Sequence, residues 1–355
     1  MSGAAMSSME RTLTALGQQE PDRVPLFLLT TLQGAREVGL SIEEYYADAG
    51  NVIEGQMRLL RKYRADCLYG FYYASIEVEA WGGTSEFFAD GPPLCGAPVI
   101  RKPGDIDGLR APAVEEAAGL RRVLETLRGL KARVGDTVPI IGVAISPFSL
   151  PVMQMGFDRY LELIHEQPAR FERLMECNIA FTVEWANAQL AAGATAICYF
   201  DPVSSTTNVP RDLYLATGQR VAKRTLGQIR GPTATHMASG RCLPIIGDIS
   251  ETGTAIVGVS ALENLGELKT AAGKRVSLLG NLNGIEMRRW SATQAEAEVK
   301  RAIALAGRGG GLLLGDNHGE IPWCVPDEVM LAISEAVERW GRYPLDWVDG
   351  WVEGA

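Results

Sequence analysis

Two of the three histidines in this 355-residue chain stand at the ends of short apolar runs, His236 in TATHMASGRC and His318 in GDNHG. An imidazole can ligate a metal ion, move a proton near neutral pH, or hydrogen-bond to the backbone inside a core. Cys242 lies six positions after His236, and this spacing is not typical of a pair of metal ligands. We therefore expect Cys242 to pack as a small apolar residue. His165 lies within a helical pattern and is expected at the surface.

Carboxylates and amides also end the apolar runs. They are Glu77, Glu79, Asp201, Asn281, Asp316 and Asn317, with Ser146 beside them. Such residues serve as general acids, general bases or oxygen ligands of a metal ion. Two have plainer alternatives, because Asp201 can cap the loop that starts at Pro202 and Asn281 can tie loops together. The residue types therefore indicate acid–base or metal chemistry, provided that the fold brings the run ends together.

Eight apolar runs alternate with longer amphipathic segments. The runs cover 24–29, 66–71, 138–145, 195–201, 234–238, 254–260, 275–282 and 310–316. Strands that are apolar throughout, each followed by a helix, are typical of a parallel sheet covered on both faces. The sequence predicts an α/β fold, a single (β/α)8 TIM barrel over 1–355, with a long excursion at about 72–135 between the second and third strands. In such a barrel the run ends gather at one face, and no GxGxxG supports a doubly wound sheet instead.

Composition narrows the possible partners and the compartment. The chain is 46% hydrophobic and 22% charged, with a formal net charge of −9 and no block of Lys or Arg, so neither nucleic acid nor an anionic membrane is an expected partner. The opening MSGAAMSSMERTL lacks the pattern of a secretion signal, and we expect a cytoplasmic protein. Six scattered cysteines without a CxxC argue against a disulfide framework or a zinc ribbon.

Segments along nearly the whole chain resemble the uroporphyrinogen decarboxylase superfamily, and within it the corrinoid and coenzyme M methyltransferase branch. MERTLTALGQQEPDRVP is similar to the family's opening helix, SPFSLPVMQMGFDRYLELIHEQP to the segment after the third strand, and AGATAICYFDPVSS to the fourth strand. LLGNLNG is similar to the seventh strand, and IPWCVPDEVMLAISEAVERWGRYP to the closing helix. The order and spacing of these segments imply the barrel fold.

The decarboxylase branch has an arginine-bearing loop after the first strand, whose guanidinium groups hold substrate carboxylates. The same place in this chain reads LLTTLQGAREVG, with Arg36 alone near it. We therefore expect no porphyrinogen decarboxylation.

The methyltransferase branch implies a zinc ion, held by a His-x-Cys pair after the fifth strand and a distant Cys after the eighth. His236 matches the histidine, but Ala238 stands at the position of the first Cys. Zinc accepts imidazole, thiolate and carboxylate together, so His318, Cys324 and Glu77 or Glu79 are the substitutes that the sequence offers. The predicted metal ligands are His236, His318, Cys324 and Glu77, and the predicted catalytic residues are His236, Asp201, Glu79 and Asn281.

The altered zinc motif favours a methyltransferase that moves a methyl group from a small, methoxylated donor to the cobalt of a separate corrinoid protein. A metal ion would stabilise the leaving oxygen. Aromatic residues near the strand ends would bind the donor, namely Tyr72, Tyr73, Phe148, Tyr199 and Trp323, with Phe71 and Phe200 near them. The alternatives are a metal-free decarboxylase or lyase of the uroporphyrinogen decarboxylase type, and a non-catalytic barrel that binds a tetrapyrrole or corrinoid. The sequence leaves open the donor, the acceptor and whether the chain forms a homodimer.

Overall fold

In the computed structural model, which describes residues 6–352, eight strands form one parallel sheet. The strands are β1 Leu26–Phe27, β2 Leu68–Tyr69, β3 Ile140–Ile145, β4 Ala196–Phe200, β5 Thr233–His236, β6 Ile256–Gly258, β7 Ser277–Leu279 and β8 Leu312–Gly315. β8 pairs with both β7 and β1, and the Asp66 N–H donates to the Leu26 carbonyl at 2.7 Å beside β2. These contacts bring the two ends of the sheet together. Each strand overlaps one predicted run, and the predicted TIM-barrel fold is confirmed.

Fifteen α-helices in the described residues surround the barrel or extend its loops. They are α1 Ser8–Leu16, α2 Gln33–Val38, α3 Ile42–Ala47, α4 Ala49–Tyr63, α5 Ser75–Ala80, α6 Ala118–Val134, α7 Leu150–Met155, α8 Phe157–Glu166, α9 Pro168–Ala191, α10 Arg211–Ala216, α11 Gly218–Leu226, α12 Ile246–Ser250, α13 Leu265–Ala272, α14 Ala292–Ala306 and α15 Asp327–Trp340. None of these helices is both long enough and apolar enough to cross a membrane.

Short 3-10 helices lie at Pro103–Gly108, Val114–Glu116, Pro202–Ser204, Leu243–Ile245, Glu286–Arg289 and Asp346–Gly350. The stretch between β2 and β3 contains α5, a two-stranded hairpin of Ser85–Glu86 and Leu94–Cys95, two of the 3-10 helices, and α6. Because α6 packs against α4 and α9 as a regular barrel helix, the departure from the βα repeat is confined to the part before Ala118.

Every strand contributes one side chain to a cluster inside the barrel. The cluster contains Phe27, Tyr69, Val143, Cys198, Ala234, Ile256, Leu279 and Leu313, one from each strand, together with Cys67. Neighbours in sequence, such as Leu26 and Ala144, point outward and pack in the clusters shared with the helices. This is the period of two that a strand imposes on its side chains. The interior is therefore filled below the mouth, and any site must lie at the strand ends.

A buried ion-pair network closes the amino-terminal end of the barrel. Asp66 accepts hydrogen bonds from Arg11 and Arg23, each at 2.6 Å, and from the Leu26 backbone N–H at 2.8 Å. In α1, Leu16 packs on the interior cluster from below. This end contains packed and paired groups, as expected of the face that stabilises a barrel.

Candidate active site

A cavity of about 210 Å³ lies at the carboxyl ends of the strands. Its apolar wall is formed by Phe27, Leu29, Tyr69, Phe71, Tyr73, Ala74, Val143, Ile145, Cys198, Phe200 and Leu279, and the hairpin between β2 and β3 adds Pro92, Pro93 and Leu94. Four ionisable side chains reach it near β5 and β8, namely His236, Asp316, His318 and Glu320. No Lys or Arg belongs to this lining. The site is thus an apolar, aromatic chamber with a few polar groups on one side, the usual composition of a small-molecule site.

His236 ends β5 and is held as a neutral ring. Its imidazole stacks on Phe200, with centroids 5.4 Å apart and planes at 24°. Nδ1 accepts the Ala238 backbone N–H at 3.0 Å, so in the neutral ring the proton resides on Nε2. Ala238 adopts a left-handed conformation (φ 49°), and its N–H points back at the ring. Burial lowers the pKa of His236 to about 4, and His318 nearby adds to this shift. The ring therefore offers an N–H donor, and no lone pair, at Nε2.

Gly258 on β6 leaves the space that the His236 ring occupies. A Cβ at Gly258 would lie 2.4 Å from His236 Cδ2 and 3.0 Å from Nε2. We expect Gly258→Ala to displace the ring and lower the free energy of unfolding by about 1–3 kcal/mol, the usual cost of overpacking. Urea denaturation measures this loss, with Gly104→Ala as control because a Cβ there meets nothing within 4 Å. Equal stability of the two variants would contradict the packing described.

His318 uses both ring nitrogens within the protein. Asn283 Oδ1 accepts the Glu286 backbone N–H at 3.2 Å, which identifies it as the acceptor; His318 Nε2 lies 3.0 Å from the same oxygen and must donate to it. Nδ1 is then the acceptor for the Ser239 hydroxyl. Burial lowers the pKa of His318. This histidine joins the loops after β5, β7 and β8, and its nitrogens are not free for a ligand.

Two carboxyls complete the polar side of the cavity. Asp316 directly follows β8 and accepts the Leu29 N–H at 3.0 Å, and its burial raises its pKa to about 7. Glu320 accepts the Leu32 N–H at 2.5 Å and a hydrogen bond from the Thr31 hydroxyl. Burial, with a smaller contribution from Asp316, raises the pKa of Glu320 well above its usual value. Asp316 therefore keeps its proton up to about neutral pH, and burial favours the protonated form of Glu320, which makes both groups candidate proton donors.

The sequence matches the family described as Uroporphyrinogen decarboxylase (URO-D) over residues 7–340. The chain belongs to the uroporphyrinogen decarboxylase family. The predicted superfamily is thereby confirmed.

Two similar relatives bear the name of this family, and one solved structure shares the fold. The uroporphyrinogen decarboxylase of Alkalilimnicola ehrlichii is 27% identical over 93% of each chain, and that of Methylococcus capsulatus is 28% identical over 92% of this chain and 96% of the relative. A methyltransferase from Methanosarcina mazei superposes with a TM-score of 0.85 at 21% identity, covering 94% of this chain and 99% of its own. At that identity the superposition shows the shared fold alone.

In this URO-D-family protein the four predicted metal ligands do not converge. His236 and His318 reach the cavity, but Cys324 is exposed and lies outside its lining. Glu77 is buried beside the carboxyl end of β3, where its side chain accepts the Ile145 N–H at 2.9 Å. Burial raises the pKa of Glu77 to about 8. Among residues 6–352 no three His, Cys, Asp or Glu side chains are placed to hold a metal ion.

The hydrogen bonds of the two histidines give the physical reason. A zinc-bound imidazole coordinates through one nitrogen and donates the N–H of the other to an acceptor. In His236 the second nitrogen accepts instead, and in His318 both nitrogens are already bonded. The residues present do not fit the zinc site that the family resemblance implied.

Asp201, a predicted catalytic residue, lies outside the cavity. It accepts hydrogen bonds from the Ser146 hydroxyl at 2.5 Å and the Ser149 hydroxyl at 2.8 Å, and it is almost fully buried. Burial raises its pKa, although these hydroxyls oppose the shift. Asp201 thus joins the loops after β3 and β4 and does not line the cavity.

Asn281 and Glu79, also predicted to be catalytic, support other residues. Asn281 Nδ2 donates to the carbonyls of Ser260 at 2.9 Å and Glu263 at 3.1 Å, so it ties loops together outside the cavity. Glu79 accepts the Tyr73 hydroxyl at 3.1 Å without lining the cavity itself. Of the four predicted catalytic residues, His236 is the one that the structure brings to the chamber.

The predicted donor-binding aromatics divide in the same way. Tyr73 lines the cavity, as do Phe71 and Phe200, which were expected near the strand ends. Tyr72 and Tyr199 are fully buried between the barrel and its helices, Phe148 packs in a separate cluster, and Trp323 lies outside the chamber. The aromatic wall also includes Phe27 and Tyr69, which belong to β1 and β2 and were not predicted as site residues.

Arg36, the arginine nearest to the decarboxylase loop, is engaged elsewhere. Its guanidinium lies 4.4 Å from the Trp323 ring centroid and donates to the Trp323 carbonyl. It does not line the cavity. The chamber therefore has no guanidinium that could bind a substrate carboxylate in the way the decarboxylase branch requires.

Proposed function

We propose that this protein is a methyltransferase that takes the methyl group of a small methoxylated aromatic donor and passes it to the corrinoid of a separate protein, with Asp316 protonating the leaving oxygen. The observation that carries the proposal is the composition of the cavity: an aromatic chamber at the barrel mouth that contains a carboxyl whose pKa burial raises to about 7, and no cationic side chain. The apolar wall suits an aryl ring, and the acid suits an ether oxygen.

The chemistry follows from these side chains. As the acceptor takes the methyl group, the bond between the methyl carbon and the oxygen breaks and its electron pair stays on the oxygen. The Asp316 carboxyl donates its proton to that oxygen, and His236 Nε2–H is placed in the same chamber as a neutral donor. The product is a phenol, and Asp316 regains a proton from solvent. General acid catalysis replaces the Lewis acid that the sequence led us to expect.

Decarboxylation of a porphyrinogen is a poorer fit to the same geometry. Its substrate carries carboxylates, which would lie beside Asp316 and Glu320 without a compensating cation in an apolar chamber. The named relatives are decarboxylases, but their identity to this chain stays below 30%. We therefore favour methyl transfer over the decarboxylase and lyase alternatives.

The test is an assay with methoxybenzene derivatives and cobalamin reduced to the cobalt(I) state. Formation of the phenol is followed by chromatography and consumption of cobalt(I) by its absorbance. We expect both signals to rise together and to depend on the protein. If no donor yields a phenol while the protein remains folded, the proposal is wrong.

Removal of metal ions should leave this activity unchanged. We expect protein dialysed against a strong chelator to form the phenol at the same rate, because the proton donors are side chains and the predicted zinc ligands do not converge. Metal content is measured by plasma mass spectrometry before and after dialysis. A loss of activity that zinc restores would contradict the proton-donor mechanism.

A further inference from the structure

All side chains of the cavity that can carry a charge at neutral pH are acids or neutral rings. Asp316 and Glu320 are the acids, and His236 and His318 are held neutral by burial and by their hydrogen bonds. The chain has 34 Lys and Arg residues, yet none lies in this lining. A ligand with a negative charge would meet two carboxyls and no cationic side chain, which is costly in an apolar chamber.

The rest of the wall favours the opposite charge. Phe27, Tyr69, Phe71, Tyr73 and Phe200 all line the same small volume. The faces of such rings attract an organic ammonium group, and the attraction grows when water is excluded. Aromatic rings together with carboxyls are the combination that recognises a cation, whereas either alone would accept a neutral ligand.

The two carboxyl residues, Asp316 and Glu320, differ in solvent exposure, and this difference suggests a separate role for each. Asp316 is 4% exposed and lies directly after β8, whereas Glu320 is only partly buried and is held by the loop after β1 through Thr31 and Leu32. Because Glu320 is the more exposed of the two residues, we place it nearer to solvent than Asp316. The outer carboxyl is thus available for the end of the donor that is not transferred.

We propose that the methyl donor is cationic: its non-transferred end bears an ammonium group that binds Glu320 and the aromatic wall, while its methoxy oxygen lies at Asp316. The position of the methoxy group in this proposal rests on the proposed function. The position of the ammonium group is argued from the charges and aromatic rings of the cavity. Methoxylated aromatic acids are excluded by the same two carboxyls.

Binding of the cation should also release a proton. Without a ligand, burial favours the neutral form of Glu320. An ammonium group beside it favours the carboxylate, so at a pH where Glu320 is protonated in the free protein the bound complex holds fewer protons than the free protein. A neutral ligand gives no such release.

The experiment compares three ligands on one ring by isothermal titration calorimetry of the full chain: 4-methoxybenzylammonium, 4-methoxybenzyl alcohol and 4-methoxybenzoate. We expect the ammonium compound to bind at least about tenfold tighter than the alcohol, a difference of 1.4 kcal/mol, and the benzoate to bind weakest. Titrations in buffers of different ionisation enthalpy should show proton release for the ammonium compound alone.

Glu320→Gln assigns the effect to one carboxyl. We expect this variant to bind the ammonium compound no tighter than the alcohol and to bind the alcohol as the wild type does, which also shows that the cavity is intact. Glu335→Gln, an exposed site on α15, is the matched control and should keep the preference for the cation. An equal loss for both ligands in Glu320→Gln would mean a structural role and overturn the proposal.

Two further results separate this inference from the proposed function. If the benzoate binds as tightly as the alcohol, the proposed cation preference is wrong even when the alcohol is demethylated. The proposed methyl transfer would still hold in that case. A clear preference for the ammonium compound without phenol formation supports the ligand class and counts against methyl transfer.

Discussion

Asp316→Asn is expected to slow phenol formation by about 10²- to 10⁴-fold, the range that a positioned general acid contributes. The amide has the shape of the carboxyl and can still accept the Leu29 N–H through its oxygen, so the loop after β8 should keep its place. It cannot give up a proton to an ether oxygen. The rate is measured at saturating donor with cobalt(I) cobalamin in excess.

The pH dependence supplies an independent check of the same residue. Burial raises the pKa of Asp316 to about 7, so the protonated form required for catalysis is present below pH 7 and is lost as the pH rises through 7. We expect the wild-type rate to be level at low pH and to fall above pH 7, and the residual rate of Asp316→Asn to lack this fall. A wild-type rate that increases between pH 6 and pH 8 would contradict the assignment.

The control for Asp316→Asn is the same substitution at Asp346, an exposed residue near the carboxyl-terminal end of the described chain. It should not alter the rate or its pH profile. Calorimetric binding of 4-methoxybenzyl alcohol to Asp316→Asn then shows whether the chamber is intact. Weak binding there would mean that Asp316 shapes the cavity, and the loss of rate could no longer be assigned to proton donation.

The fold was predictable because its signal is repeated and local. Each apolar run is long enough to form one strand of the sheet, and each is followed by a segment with helical periodicity. The observed strands are shorter than the runs, as β1 covers Leu26–Phe27 within the predicted 24–29. The regular pairing is confined to the central residues, and beyond it single hydrogen bonds remain, such as that from the Asp66 N–H to the Leu26 carbonyl. The number and order of the strands were therefore easier to predict than their ends.

The alternation of side chains along a strand distinguishes neighbouring aromatic residues in the sequence. Side chains of a strand alternate between the two faces, so Cys198 and Phe200 point into the barrel and Tyr199 between them points out. The same alternation continues past β2, where Tyr73 lines the cavity and Tyr72 packs against the helices. Tyr72 and Tyr199, which are predicted donor-binding residues, therefore lie on the outer face, where the helices cover them.

Other features of the site depend on contacts that no sequence pattern reveals. The tautomer of His236 is set by the N–H of Ala238, which points at the ring only because the backbone of Ala238 is left-handed. Glu320 becomes a cavity residue through Thr31 and Leu32, which lie at the other end of the chain. A histidine that matches a zinc motif in sequence can thus serve as a neutral hydrogen-bond donor in the fold.

Asp66→Ala should lower the free energy of unfolding by about 3–5 kcal/mol, the cost of removing one partner from a buried ion pair. The carboxylate is 1% exposed and is the shared partner of Arg11 and Arg23, which are themselves nearly buried. Its removal leaves two guanidinium groups without this partner and the Leu26 N–H without an acceptor at the point where β1 meets β2. Urea denaturation monitored by circular dichroism measures the loss.

The matched control is Asp136→Ala, because Asp136 pairs with Lys131 while 92% of its side chain is exposed. An exposed ion pair contributes at most about 1 kcal/mol, so this variant should unfold close to the wild type. Asp66 lies at the amino-terminal end of the barrel and the cavity at the carboxyl-terminal end, so the Asp66→Ala protein that remains folded should bind 4-methoxybenzyl alcohol normally. Equal destabilisation by the two substitutions would show that the network at the base of the barrel contributes no more than a surface pair, and closure of the barrel would then depend on the apolar interior cluster alone.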